Sequence, residues 1–427
     1  MSGYRKKNLR VNKMCFASLM AFLLFITTIS PLSGTVSASV INNQTVVLYP
    51  NMISNQIDDP KLEEVKVDII PFLSFEHSEV QLPNESVEIM RKSTKPLVLI
   101  SSDIKVVVPN EVFDEPVKQG FLNMSFIVNR SESATVNGAV SATYEFSKVT
   151  EAYSTFMNIP QKTWKVYEID KRFSRPIEFI VPTTVSVKDP RKVAAYNLRE
   201  ASGAFEYVGG TFNSDDKFIF SANDTSRITV IEQDKTFNDI QNHWAQEQIE
   251  VLASRNITSG RSEKIFDPKG NITRAEFTVM IAHAINLNAN KHEWELVENQ
   301  ERIFQDLQMS KAWAYKEVED AYTAGIVKGT SKNTFSPDSL ISRQEIAAIL
   351  IRAIEFQDSN LLNGLDTPKP FADDNKIGTF ARKPVNQAVS LGIISGRGGN
   401  LFDPQANATR AEAAVMLYRT LGKLSEL

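Results

Sequence analysis

Three copies of one pattern, at equal spacing, constrain the second half of this 427-residue chain more than any other feature. They open at Phe237-Asn238-Asp239, Phe304-Gln305-Asp306 and Phe371-Ala372-Asp373. Each leads into an aromatic-Ala pair: Trp244-Ala245, Trp313-Ala314 or Phe380-Ala381. Apolar residues follow at helical spacing, such as Ile249 and Leu252, Val318 and Ala321, Val385 and Ala388. A helix stop comes next, with Gly325 and Gly392 at one equivalent position and Asn256 filling it in the first copy. Asn is the usual substitute for Gly in the left-handed conformation that closes a helix. A second glycine recurs at 260, 329 and 396, followed by Phe266-Asp267-Pro268, Phe335-Ser336-Pro337 and Phe402-Asp403-Pro404. A second helix then opens at Ile272-Thr273-Arg274-Ala275-Glu276, Ile341-Ser342-Arg343-Gln344-Glu345 and Ala408-Thr409-Arg410-Ala411-Glu412. The spacing predicts three helix–loop–helix units.

The opening of that second helix can be read residue by residue. Thr273, Ser342 and Thr409 sit three before Glu276, Glu345 and Glu412, which is capping-box spacing. Ile272 with Phe277 and Ile341 with Ile346 are spaced as hydrophobic staples, with Ala408 and Ala413 a weaker version. Hydroxyl and glutamate therefore have a sufficient structural role. The arginine does not. Arg274, Arg343 and Arg410 fall at the first helical position, where the helix dipole disfavours a cation by ~0.3–1 kcal/mol. A guanidinium added to free N–H groups at a helix start makes an anion site. The alternative is a buried ion pair with Asp239, Asp306 or Asp373, and the spacing favours the ligand. Trp244, Trp313 and Phe380 read either as core or as flat rings beside a sugar. Gly260, Gly329 and Gly396 are either turn residues or points of close backbone approach to a ligand.

The N-terminus reads as an address. Arg5, Lys6, Lys7, Arg10 and Lys13 precede the apolar run Met14 to Thr28, and Val36-Ser37-Ala38 supplies small residues for cleavage. This predicts a signal peptide over residues 1–38, its apolar run short of the ~20 residues that span a bilayer. Cys15, the only cysteine, lies within it, so no disulfide scaffold or cysteine metal site is expected. The four histidines, at 77, 243, 283 and 292, include no pair spaced i, i+4. No metal and no cofactor are expected. A net charge of −4 argues against a dedicated nucleic-acid binder. Export without membrane insertion after cleavage is the expectation.

With these residues in view, the repeats resemble S-layer homology domains in a set of three. The shared pattern is Phe-x-Asp, Trp-Ala, Gly-Ile, Phe-x-Pro and Thr-Arg-Ala-Glu, in order, three times over. We expect repeats over 237–303, 304–370 and 371–427. The resemblance implies an α-helical pseudo-threefold bundle in which each repeat gives one helix to a central core. It also implies that grooves between repeats bind a secondary cell-wall polysaccharide of Gram-positive bacteria, often carrying a pyruvate ketal. By position, the expected contacts are Arg274, Arg343 and Arg410, with Gly260, Gly329 and Gly396 nearby and Trp244 and Trp313 facing the sugar. The third copy departs from the pattern with Phe380 for tryptophan and Pro384 inside its first helix. The grooves using Arg274 and Arg343 are therefore favoured over that of Arg410.

Residues 39–233 read as an all-β, sandwich-like region of one or two small domains. β-branched and alternating runs cover Glu64 to Ile70, Leu97 to Val108, Leu122 to Val128, Ile177 to Val181, Val193 to Tyr196 and Arg227 to Ile231. Ser202-Gly203 marks a hairpin turn between Tyr196-Asn197-Leu198 and Phe205-Glu206-Tyr207. The stretch from Val185 to Gly210 resembles the β-rich module that precedes these repeats in surface proteins and surface glycosidases of bacilli. Glu111, Asp114 and Glu115 are carboxylates of the kind a glycosidase needs. Flanking Pro109 and Pro116 mark them as an exposed loop, and nucleophile-elbow, phosphate-loop and zinc-helix motifs are missing. The sequence thus predicts a secreted, non-enzymatic surface protein, anchored non-covalently to the cell wall and displaying a β-rich domain. Other S-layer proteins are a further candidate partner. The rival readings are a surface-anchored carbohydrate-active enzyme with carboxylate catalysis in the β region, and an adhesin.

Overall fold

A computed structural model describes residues 39–42, 45–69, 77–100, 104–114, 121–132, 139–155, 163–170, 172–182, 187–199, 204–224, 228–287, 303–307 and 312–425. The expected leader with Cys15, the carboxylate Glu115 and the turn at Ser202-Gly203 lie outside the described residues.

The first half begins with strands β1 (Ser39–Asn42) and β2 (Thr45–Val47), helix α1 (Pro50–Ile57), and strands β3 (Val65–Asp68) and β4 (His77–Pro83). Helix α2 (Asn84–Lys92) and the strands β5 (Leu97–Ile100) and β6 (Lys105–Val108) follow. Then come the long strands β7 (Phe121–Glu132), β8 (Ala139–Thr155), β9 (Thr163–Asp170) and β10 (Arg172–Pro182). The half closes with β11 (Val193–Arg199), β12 (Ala204–Gly209), β13 (Thr211–Phe212), β14 (Lys217–Asp224) and β15 (Ile228–Glu232).

These strands form two sheets. One runs β1-β2-β4-β7-β8-β15-β11-β12, with β9 also against β8, and the other runs β13-β14-β10-β6-β5-β3. Their inner faces share one apolar core. Phe146 of the first sheet meets Phe179 of the second edge to face, 5.8 Å between centroids. The β-branched run over Leu97 to Val108 supplies two antiparallel strands, β5 and β6, with Leu97 opposite Val108. The expected pairing of β11 with β12 holds, with Tyr196 opposite Tyr207 and Leu198 opposite Phe205.

The half is β-rich but carries two helices that the strand-dominated reading omits. In α2, Ser86, Val87 and Met90 lie buried on one face, a helical spacing too brief to stand out among β-branched runs. The strand pairs β2–β4 and β3–β5 are parallel and so require crossover connections.

The repeats supply α3 (Gln246–Ser254) and α4 (Arg274–Ala284), α5 (Ala312–Thr323) and α6 (Arg343–Asp358), α7 (Thr379–Ser390) and α8 (Arg410–Lys423). All three second helices open at the predicted caps, with Glu276, Glu345 and Glu412 each reaching back to the cap N–H and the hydroxyls of Thr273 and Thr409 completing the box. The helix stops also fold as read: Asn256, Gly325 and Gly392 have φ of 58°, 75° and 71°. Pro384 sits in the second turn of α7, which continues through it. Helices α4, α6 and α8 meet one another at the centre. The first helix of each repeat packs on the second helix of another: α5 on α4, α7 on α6, and α3 on α8. The ring closes head to tail, so no repeat completes its core alone.

Bundle and β half meet in one continuous core that takes in Ala194, Tyr196, Tyr207 and Ile231. Arg255, wholly buried, crosses this junction to the carbonyls of Val193 (3.2 Å) and Gly210 and stacks over Tyr207. Tyr196 donates its hydroxyl to the Ser254 carbonyl at 3.0 Å. Arg191 reaches Glu247 on α3 and the Tyr418 hydroxyl on α8.

Candidate functional site

Each repeat arginine starts a helix in its own repeat, while its side chain joins the next. Arg274 donates from Nε to the Phe335 carbonyl (3.1 Å), from Nη2 to Lys328 O (2.9 Å) and from Nη1 to Glu345 (2.8 Å). Arg343 makes the equivalent bonds to Phe402 O (2.9 Å), Ser395 O (3.1 Å) and Glu412 (3.0 Å). Arg410 closes the circle on the first repeat, at Phe266 O (2.9 Å) and Ser259 O (2.6 Å), with Glu276 3.9 Å away. Each guanidinium also lies over the phenylalanine ring whose carbonyl it holds, at 5.0, 5.2 and 4.6 Å.

The backbone at these helix starts is equally occupied. Arg274 N–H donates to Ser339 O, Arg343 N–H to Ala406 O and Arg410 N–H to Gly270 O. The next residues, Ala275, Gln344 and Ala411, donate to the carbonyls of Pro337, Pro404 and Pro268. The third N–H goes to the cap hydroxyl where Thr273 and Thr409 open the helix. The expected anion site at free helix N–H groups is therefore not formed: the neighbouring repeat's Phe-x-Pro loop takes those donors. The ion-pair alternative survives with a different partner. Asp239, Asp306 and Asp373 accept the backbone N–H groups of Phe266 and Asp267, Phe335 and Ser336, Phe402 and Asp403. In doing so they hold Asp267, Ser336 and Asp403 in left-handed backbone. The capping glutamates are the arginines' true partners.

Burial lowers the proton affinity of Arg343 and Arg410. Burial alone would raise the Glu412 carboxyl, but the Thr409 N–H and the Arg397 and Arg343 guanidiniums hold it below its ordinary range. The same balance holds Asp373 low through the N–H groups of Phe402 and Asp403.

The loop glycines answer to the protein itself. A Cβ at Gly260 would lie 2.3 Å from Ser262 O, and at Gly329 2.5 Å from Ser331 O. At Gly396 it would lie 2.9 Å from both Leu401 O and the Phe371 ring. Close approach is real, and the approaching groups are each repeat's own loop and its leading phenylalanine.

The rings are different. Trp244, Trp313 and Phe380 are 62%, 51% and 53% exposed, so the core reading fails and three equivalent aromatic faces stand at the surface. The loops after the recurring glycine carry two further arginines that motif reading missed. Arg397 grips Glu412 through two oxygens (2.8 and 3.0 Å) and Asp403 at 2.6 Å. Arg261 bonds Glu276 and lies 3.9 Å from Asp267. In the second repeat Thr330 and Ser336 replace that pair and hydrogen-bond each other at 2.7 Å. The three grooves are thus unequal. The signal was present as Gly-Arg, Gly-Thr, Gly-Arg after the recurring glycine.

Comparison with known proteins places S-layer homology domains at residues 236–278, 303–347 and 370–414. The chain carries three such domains behind a β-rich region. It is 31% identical to an amylopullulanase of Thermoanaerobacterium thermosulfurigenes over 89% of its length and 19% of that protein's. It is 38% identical to exoglucanase XynX of Acetivibrio thermocellus over 46% of this chain and 17% of that one. An S-layer protein of Bacillus licheniformis is 29% identical over 44% of this chain and 20% of its own. The chain spans about a fifth of the length of these relatives.

The domains and the S-layer relatives make this a cell-surface, extracellular protein, and cell-wall binding is the role of its repeats. Among the described residues no helix is long and apolar enough to cross a membrane. The expectation that the chain is not an enzyme is overturned. The match to the amylopullulanase is too long to be confined to the repeats, and the exoglucanase adds a second glycan-degrading relative. The sequence reading failed there because it sought a complete catalytic motif within this chain.

Proposed function

We propose that the chain serves as a surface-anchored carbohydrate-active enzyme, held non-covalently on the cell wall by its three repeats. The observation that carries the anchoring half is the trio of exposed aromatic rings, set at equivalent points on a bundle whose other recurring aromatics are buried or, at Phe371, partly buried. Rings of this kind stack on sugars. The polymer is a secondary cell-wall polysaccharide with acidic groups such as a pyruvate ketal.

Arg274, Arg343 and Arg410 build the grooves by clasping one repeat to the next, and Gly260, Gly329 and Gly396 let the groove loops close. Trp244 and Trp313 supply the stacking faces. Arg261 and Arg397, each more than a third exposed, are the cations an acidic sugar would meet. Several such grooves on one polymer gain avidity of ~10²–10⁴ over a single groove.

The carbohydrate-active half rests on the relatives, one of them named for amylopullulanase activity and another for exoglucanase activity. Substrates of the same classes, α-glucans and β-1,4-glycans, are the ones to offer. Glu111 is exposed at the end of the β6 hairpin, and Asp114 there pairs with Arg91 at 3.5 Å.

Two assays test the reading. Co-sedimentation of the chain with Gram-positive wall sacculi, before and after acid removal of the secondary polymer, should give pelleting only with intact walls. Reducing-sugar release from pullulan, starch, xylan and cellulose should appear for one substrate class and fall with Glu111→Gln or Asp114→Asn. A chain that pellets equally with stripped walls refutes the anchor. A chain inert on every glycan refutes the enzymatic half.

A further inference from the structure

The outer faces of α3 and α7, the first helices of the first and third repeats, meet different fates. On α3 the face is covered by the β half: Arg191 bonds Glu247, Val251 is fully buried, and Tyr196 reaches the Ser254 carbonyl. In the third repeat the place of Ser254 is taken by Ser390, whose hydroxyl donates to the Asp366 carbonyl of the preceding segment. The equivalent face on α7 borders an open cleft of about 610 Å³, closed on the far side by the segment around Leu362 and Leu365. That volume lies in the ~300–1,000 Å³ range of small-ligand sites.

The cleft is built from substitutions specific to this repeat. Glu250 accepts a hydrogen bond from the Thr236 hydroxyl at 2.6 Å, and Glu319 accepts one from the Ile303 N–H at 3.0 Å. In the third repeat the residue before the leading phenylalanine is Pro370, which has no N–H, and Asn386 replaces the glutamate. Asn386 therefore meets no donor at the equivalent point of the chain, and it lines the cleft. Gln387 stands where Val251 is buried in the first repeat, and Lys383 stands where Glu247 receives Arg191. Arg382 completes the rim, tied to Asp374.

We propose that this cleft is a saccharide subsite, taking a short segment of the wall polysaccharide in addition to the grooves between repeats. Two carboxamides and an ammonium offer donors and acceptors to sugar hydroxyls and acidic substituents. Leu362 and Leu365 offer an apolar wall to the C–H face of a ring. A second copy of the chain is the other conceivable occupant, docking its β half as the first repeat does. Charge decides against it, because Arg191 would then face Lys383 in place of Glu247. The proposal rests on the wall-binding reading and goes beyond it in placing a contact on α7.

The test is co-sedimentation of the full chain with wall sacculi, together with analytical ultracentrifugation. The double variant Asn386→Leu/Gln387→Leu removes the amides, and Gln387→Trp fills the cleft. Loss of two hydrogen bonds is expected to weaken wall binding about tenfold, with an unchanged melting midpoint. Trp244→Ala serves as the groove control. If both cleft variants bind as the wild type does while Trp244→Ala binds less, the cleft proposal is overturned and the wall reading stands. If the wild type itself stays in the supernatant, the wall reading falls and takes the cleft with it. A concentration-dependent dimer that Gln387→Trp abolishes also overturns it, in favour of self-docking.

Discussion

Replacing Arg343 with alanine separates the two jobs an arginine can have in this bundle. The side chain is only 4% exposed and bonds Phe402 O, Ser395 O and Glu412 across the joint between the second and third repeats. Truncation strands the Phe402 carbonyl, at a residue with no exposure, at a cost of about 1–3 kcal/mol. The lost charge-assisted bond to Glu412 adds about 1.5–3 kcal/mol. Ser395 is exposed, so water replaces its bond, and Glu412 keeps the two-oxygen grip of Arg397. The sum, about 2.5–6 kcal/mol, brackets the usual penalty of about 3–5 kcal/mol for removing one partner of a buried pair. In a bundle of this size, 1 kcal/mol moves the melting midpoint by about 2–4 °C, so a drop of roughly 6–20 °C is expected. Arg410→Ala should cost less, because its glutamate is already 3.9 Å away. Calorimetry of both variants, beside wall co-sedimentation at a temperature where both are folded, supplies the test. An Arg343→Ala protein that melts within 2 °C of the wild type yet no longer binds walls would refute the clasp argument and make the arginine a ligand contact.

Trp244→Ala and Trp313→Ala, at rings more than half exposed, should change stability by no more than ~0.5 kcal/mol while weakening wall pelleting; equal pelleting would remove the rings from the site. Acid should loosen the bundle. Glu412 and Asp373 are held below their ordinary values in the fold, so their contribution is complete above the unfolded carboxylate range and is lost as pH falls below about 4.5. Glu412→Gln should flatten that acid limb in a pH series of melting midpoints. Arg255→Met should cost about 3 kcal/mol or more at the junction and split one calorimetric transition into two, the β half and the bundle melting apart. A single transition at the wild-type temperature would show that the junction does not couple them.

Reading the chain as a sequence succeeded where the physics is local. Thr273 and Glu276 form a capping box within one turn, and Asn256, Gly325 and Gly392 close helices by their own φ. It faltered where partners come from afar. Nothing near Arg274 in sequence indicates that Glu345 and the Phe335 carbonyl will meet it, so the free helix start appeared to be an anion site. Likewise Trp244 reads from sequence either as core or as a ring facing a sugar, and only its exposure just before α3 decides between them. Helices α1 and α2 were hidden because each is a short segment whose buried residues are also good strand formers or neutral.

By itself, the sequence determined the repeat, its helix boundaries and its caps, because these depend on interactions that close within one turn or one loop. Tertiary structure alone decided the rest. It passes each first helix to another repeat, ties the ring with Arg274, Arg343 and Arg410, and docks the β half on α3 while leaving α7 open. Those choices depend on which donor meets which acceptor across roughly sixty or more residues of chain, a pairing set by three-dimensional closure and not by spacing.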